Sequence, residues 1–167
     1  MDGEVATSSD SVQISNRAPV LGSVSIQPVN GVTTSSSISC SATVSDPDGE
    51  QLSPAYSWSN LGTGLVLGSG GSLVLDPTLA QPGDSIQCTA SVSDGYGASD
   101  STAVSVMIDN TAPVSAGVSL TPLVAYNDST LSCAVSASDA DSQALTESWS
   151  WSNLSSGAAL GSGANLT

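Results

Sequence analysis

Apolar residues in this chain alternate with small polar ones, in short runs separated by Gly, Pro, Asp and Asn. A period of two puts successive side chains on opposite faces of a strand, and no window carries the 3.6-residue period of a helix. The clearest run is Ser37–Val44, with Ile38, Cys40, Ala42 and Val44 on one face and Ser39, Ser41 and Thr43 on the other. Ile86, Cys88, Ala90 and Val92 follow the same scheme. Val20–Gln27, Ala55–Ser59 (Tyr56 and Trp58 on one side), Leu65–Leu67, Leu73–Leu75 and Thr102–Ile108 complete a set of about seven short strands. Turn formers lie between them, notably Pro28–Gly31, Asp46-Pro47-Asp48-Gly49, Gly68–Gly71, Gln81–Asp84 and Asp94–Gly97. Seven short, regularly punctuated strands predict an all-β fold made of two packed sheets.

The pattern then repeats at about 93 residues. Asn16-Arg17-Ala18-Pro19-Val20 corresponds to Asn110-Thr111-Ala112-Pro113-Val114, and Ser45-Asp46-Pro47-Asp48 to Ser138-Asp139-Ala140-Asp141. Ser57-Trp58-Ser59-Asn60-Leu61 corresponds to Ser150-Trp151-Ser152-Asn153-Leu154. A period this long is a whole domain, since solenoid units run roughly 20–50 residues. The expected organisation is a C-terminal strand remnant of a preceding repeat (1–16), one complete sandwich (17–110), and the first part of a further, truncated repeat (111–167). Within the remnant, Val5–Ser15 reads as a last strand with Val12 and Ile14 inward. Trp58, Trp151 and Tyr56 read as core, because Phe is absent and few large apolar side chains remain.

Charge narrows the class of function. One basic residue, Arg17, stands against fifteen acids, and there is no His or Lys. Nucleic acid is excluded as a partner, because phosphate binding needs Lys and Arg. No stretch reaches the length of a transmembrane helix, so no direct membrane insertion is expected of this segment. Catalysis is not expected either: no His or Lys is present for acid–base work, and Asp46 and Asp48 sit in a turn, without a deep cleft. Gly68–Gly71 has no helix or Lys behind it, which removes a phosphate loop from consideration.

The order Cys40…Trp58…Cys88 resembles the immunoglobulin fold, in which two cysteines bridge the sheets and a Trp packs on the bridge. Read alone, the two residues leave buried free thiols as the alternative; the resemblance implies a structural disulfide. It would close a loop of 48 residues, worth about 4 kcal/mol in the chain-entropy model, and it implies an oxidising compartment. Cys133 matches Cys40, and its partner is expected beyond Thr167, so it is expected to be an unpaired thiol.

Asn-x-Ala-Pro at each boundary, Ser-Asp-Pro-Asp-Gly-Glu at 45–50 and Val-Ser-Asp-Gly-Tyr-Gly at 92–97 resemble tandem immunoglobulin-like and cadherin-like repeats of microbial surface proteins and adhesins. Polycystic-kidney-disease-type repeats share the Asp-Gly and Trp features. The resemblance implies an extracellular or cell-surface stalk, spacer or adhesive module, partnered by neighbouring repeats and by a cell-surface protein or glycan. No cofactor is required, and Ca²⁺ is optional. Its candidate ligands are Asp46, Asp48 and Glu50, the junction pair Asp109 and Asn110, and Asp139 and Asp141. Against that, Asp-Pro-Asp-Gly is sufficient as a plain turn, and the second copy replaces Gly49-Glu50 with Ser142-Gln143. An alternative function is a carbohydrate- or protein-binding module appended to a secreted enzyme. Exposed aromatics would mark a carbohydrate platform, and only Tyr96 and Tyr126 are candidates.

Overall fold

The computed structural model describes residues 2–3 and 7–167. Seven strands form the first unit: β1 (Val20–Gln27), β2 (Ser37–Ser45), β3 (Ala55–Asn60), β4 (Leu65–Ser69), β5 (Ser72–Val74), β6 (Ser85–Ser93) and β7 (Ser99–Met107). They make two antiparallel sheets, ordered β1-β2-β5 and β4-β3-β6-β7. The alternation dictates which faces meet. Ile38 and Cys40 from β2 and Ile86, Cys88, Ala90 and Val92 from β6 are all buried, while their polar neighbours face outward or lie half-buried. Each large aliphatic side chain taken from water contributes about 1.5–3 kcal/mol.

Cys40 and Cys88 are joined in a disulfide between the sheets. Trp58 lies opposite Cys88 in the β3–β6 register and is almost fully buried, and its indole N–H donates to the Gly70 carbonyl at 2.8 Å. Tyr56 is half-buried between the two apolar clusters, and its hydroxyl accepts the Ala42 N–H at 2.9 Å. That bond satisfies a β2 amide beyond the reach of short β5, which pairs only with Ser37–Ser39. Asn60 is fully buried and holds the end of β3: its amide donates to Leu79 O and Asp84 Oδ2, and its carbonyl accepts from Gly62 and Thr63.

The second copy supplies β8 (Val114–Thr121), β9 (Leu131–Ser138), β10 (Ser150–Ser152), β11 (Ala159–Ser162) and β12 (Asn165–Leu166), in sheets ordered β12-β9-β8 and β10-β11. The Trp anchor recurs, with Trp151 donating to Gly163 O at 2.8 Å. Trp151 nevertheless stays half-buried, against its expected place in a core, because none of the described strands stands where β6 and β7 cover Trp58 in the first copy. The expected strand over Val5–Ser15 does not form in its described part, Thr7–Ser15; Val5 and Ala6 lie outside the described residues. Val12 and Ile14 are 87% and 90% exposed. Their counterparts Val106 and Ile108 are buried because β6 and the opposite sheet are present to receive them, and no sheet among the described residues receives Thr7–Ser15.

Candidate functional site

Both ends of the sandwich are organised by one device, the Asp-x-Asp turn that follows the second strand of each copy. In the first copy the Asp48 N–H donates to Asp46 Oδ1 at 2.7 Å and the Gly49 N–H to Asp46 O at 3.1 Å. Gly49 takes φ 85°, a left-handed conformation that glycine adopts without steric cost. In the second copy the Asp141 N–H donates to Asp139 Oδ1 at 2.8 Å, the Ser142 N–H donates to Asp139 O at 3.2 Å, and Ser142 itself takes φ 60°. The side chain of the second Asp then reaches back to the start of its own repeat. Asp48 Oδ2 accepts the Arg17 N–H at 2.7 Å, and Asp141 Oδ2 accepts the Thr111 N–H at 2.6 Å.

The candidate calcium ligands divide at this point. Asp46 and Glu50 meet Asp94, with one carboxylate oxygen from each lying within 4.8 Å of the others. Asp48 turns away to Arg17, whose guanidinium contacts it at 2.9 Å; the Arg17 N–H and side chain hold its carboxyl below the usual carboxylate range. Asp139 and Asp141 lie at the other junction. Asp141 is fully buried with both oxygens taken, and donation from Thr34 and then Thr111 holds its carboxyl low. Asp109 uses its backbone N–H on Val32 O at 2.6 Å, and the Asn110 side chain donates to Thr111 O at 3.3 Å. No group of three acids among the described residues includes Asp109, Asp139 or Asp141.

The Asp46–Glu50–Asp94 cluster has the chemistry of a cation site. Asp46 Oδ2 and Glu50 Oε2 are buried and have no hydrogen-bond partner. Burial pushes the Glu50 carboxyl up, reinforced by Asp46, Asp94 and Asp48. Asp94 is fixed by the Asn16 amide at 2.8 Å and by the Tyr96 and Ala98 N–H groups at 2.9 Å, and the Asn16 bond holds its carboxyl low. An unpartnered buried carboxylate oxygen costs free energy that a hard cation removes, and Ca²⁺ takes 6–8 oxygen ligands at roughly 2.3–2.6 Å. Three carboxylates supply part of that set; backbone carbonyls and water would complete it. The sequence reads Asp94 only as a turn residue, although the signal for a ligand is there: each cysteine is followed six residues later by an Asp. Joined at Cys40–Cys88, the two strands run the same way, so Asp46 and Asp94 emerge together.

A cavity of about 410 Å³ lined by Cys133, Val135, Leu145, Trp149 and Trp151 is the uncovered inner face of the second copy. Cys133 is free and half-buried there. Tyr96 and Tyr126 are 76% and 74% exposed but stand on separate loops of different copies. Residues 16–107 match the family model described as bacterial Ig domain. No curated protein and no solved structure matches the chain.

Proposed function

The chain belongs to the bacterial Ig domain family, and from that premise we propose that it is a spacer segment of a surface or exported protein, with a calcium ion stiffening its N-terminal junction. Domains of this family are generally non-catalytic and commonly occur in surface or exported proteins. No helix among the described residues is long and apolar enough to cross a membrane. The observation that carries the spacer reading is the junction itself. The linker Asp109–Thr111 is hydrogen-bonded to both sides, to Val32 O of the first copy and to Asp141 of the second. A joint built this way sets successive sandwiches in a fixed relation, which is what a stalk requires and a freely tethered binding module does not.

Calcium enters at Asp46, Glu50 and Asp94, directly below Asn16. Neutralising three acids there would lock the Asp46–Glu50 turn to the β6–β7 turn and hold Asn16 against both. Small-angle scattering of the full chain tests the spacer reading. A compact particle of 167 residues has a radius of gyration of about 15 Å. The spacer reading expects an elongated particle above about 20 Å, and a compact envelope would overturn it.

A further inference from the structure

The two Asp-x-Asp turns are alike in sequence, in backbone and in the bond from Oδ2 to the first residue of the repeat, but they differ at Oδ1. In the second copy, Asp141 Oδ1 accepts the Thr34 hydroxyl at 2.6 Å, a bond that crosses from one repeat to the next. Thr34 sits in the loop between β1 and β2 and is fully buried, as are Val32 and Asp141. In the first copy, Asp48 Oδ1 accepts the Arg17 side chain at 2.9 Å, and the same guanidinium donates to Pro47 O at 2.9 Å. Arg17 is the sole basic residue of the chain, and Thr111 occupies its place in the second copy.

We propose that the first residue of each repeat selects the joint: threonine leaves Asp Oδ1 open to a hydroxyl-bearing loop of the neighbouring repeat, and arginine claims that oxygen within its own repeat. The surface so defined is the 32–36 loop on one side and the Asp-x-Asp turn on the other. Its partner is another repeat of this kind, recognised by one buried hydroxyl donating to one carboxylate. The threonine joint is closed across the boundary. The arginine joint is satisfied internally and makes no such demand on what precedes it, which leaves its stiffness to the acidic cluster beside it. A chain carrying both kinds has joints of two designs, each written by a single residue. The guanidinium is long and fork-shaped enough to reach both a carboxylate and a carbonyl, whereas in the second copy Oδ1 of the corresponding Asp141 is taken by Thr34.

This inference deepens the spacer reading and rests on it only for its biological use; the joint chemistry can fail while the particle remains elongated. The test uses the full chain and three variants, Thr34→Val, Thr34→Ser and Thr111→Arg, read by amide hydrogen exchange and ¹⁵N relaxation. Valine keeps the shape of Thr34 and removes the donor. The Thr111 and Asp109 amides should exchange at least about tenfold faster in Thr34→Val, the change in local opening expected from losing one charge-assisted hydrogen bond. Thr111→Arg should do the same by drawing Asp141 Oδ1 back into its own repeat, and residues 20–107 should then tumble apart from 114–166. Thr34→Ser should behave as the wild type. Unchanged chemical shifts within β2, β3 and β6 verify that the sandwich is intact in each. Wild-type exchange and tumbling in both Thr34→Val and Thr111→Arg would overturn the proposal, as would a Thr34→Ser chain that behaves like Thr34→Val.

Discussion

Replacing both bridging cysteines with alanine isolates the largest single contribution to the sandwich. Cys40 and Cys88 are 48 residues apart, and cross-linking a loop of that length removes unfolded-state entropy worth about 4 kcal/mol at 25 °C. The native state also loses packing. Cys40 is 5% exposed and Cys88 fully buried beside Trp58, so each lost sulfur leaves a small void costing on the order of 1 kcal/mol. Together these approach about 6 kcal/mol, a large part of the roughly 5–15 kcal/mol that holds an ordinary domain. The entropic part alone would lower the melting midpoint by about 15–30 °C. The assay is urea unfolding of the full chain followed by circular dichroism, with Cys133 changed to Ala in both proteins so that no thiol can exchange. The slope of free energy on urea should also rise, because the uncrosslinked chain exposes more surface. A loss below about 1 kcal/mol would mean that the cross-link contributes little to holding the sandwich.

Asn60→Ala removes two donors and one shared acceptor from a fully buried site and should cost roughly 2–4 kcal/mol by the same unfolding assay; a loss under about 1 kcal/mol would mean that water replaces them. The pH dependence in chelator should have two limbs of opposite sign. Glu50 is raised, so stability grows as pH falls from neutral through its folded value. Asp48, Asp94 and Asp141 are lowered, so their contribution is present above the ordinary carboxylate range and is lost as pH falls below it through their folded values. Melting scans across pH should therefore peak just above that range. Glu50→Gln, which installs the residue found at 143, should erase the first limb. Calcium at about ten times its dissociation constant should raise the wild-type midpoint by about 6–11 °C. Glu50→Gln should abolish most of that rise, and an unmoved wild-type midpoint would remove calcium from the account.

The sandwich was readable from the sequence because strict alternation leaves each strand only one way to face a core. Ile38, Cys40, Ile86, Cys88, Ala90 and Val92 are all buried as the period predicts. Alternation alone did not suffice for Val12 and Ile14, where the right pattern meets no sheet among the described residues, or for Trp151, where the anchoring bond forms but no described strand covers the ring. Asp94 was legible in principle, through the equal spacing of Cys40–Asp46 and Cys88–Asp94, once the two strands are taken as running together. The role of Thr34 was not legible. Its partner is 107 residues away, and nothing in a Thr-Thr-Ser-Ser-Ser loop distinguishes the one hydroxyl that crosses the junction. Arg17 stood out only as the lone cation; that it replaces a neighbour's hydroxyl emerges from comparing Oδ1 in the two copies.

A spacer built from this chain would be a stapled module that cannot be drawn out beyond its cross-link. Pulling single molecules from both ends reads this limit out as a length. Residues 20–107 form the sandwich, and the bridge withholds 48 of them from extension. At roughly 3.6 Å per residue, the wild-type sandwich should release at most about 14 nm when it yields, and the Cys40→Ala/Cys88→Ala chain about 31 nm. Steps of about 31 nm in the wild type under non-reducing conditions would mean that the bridge does not limit extension.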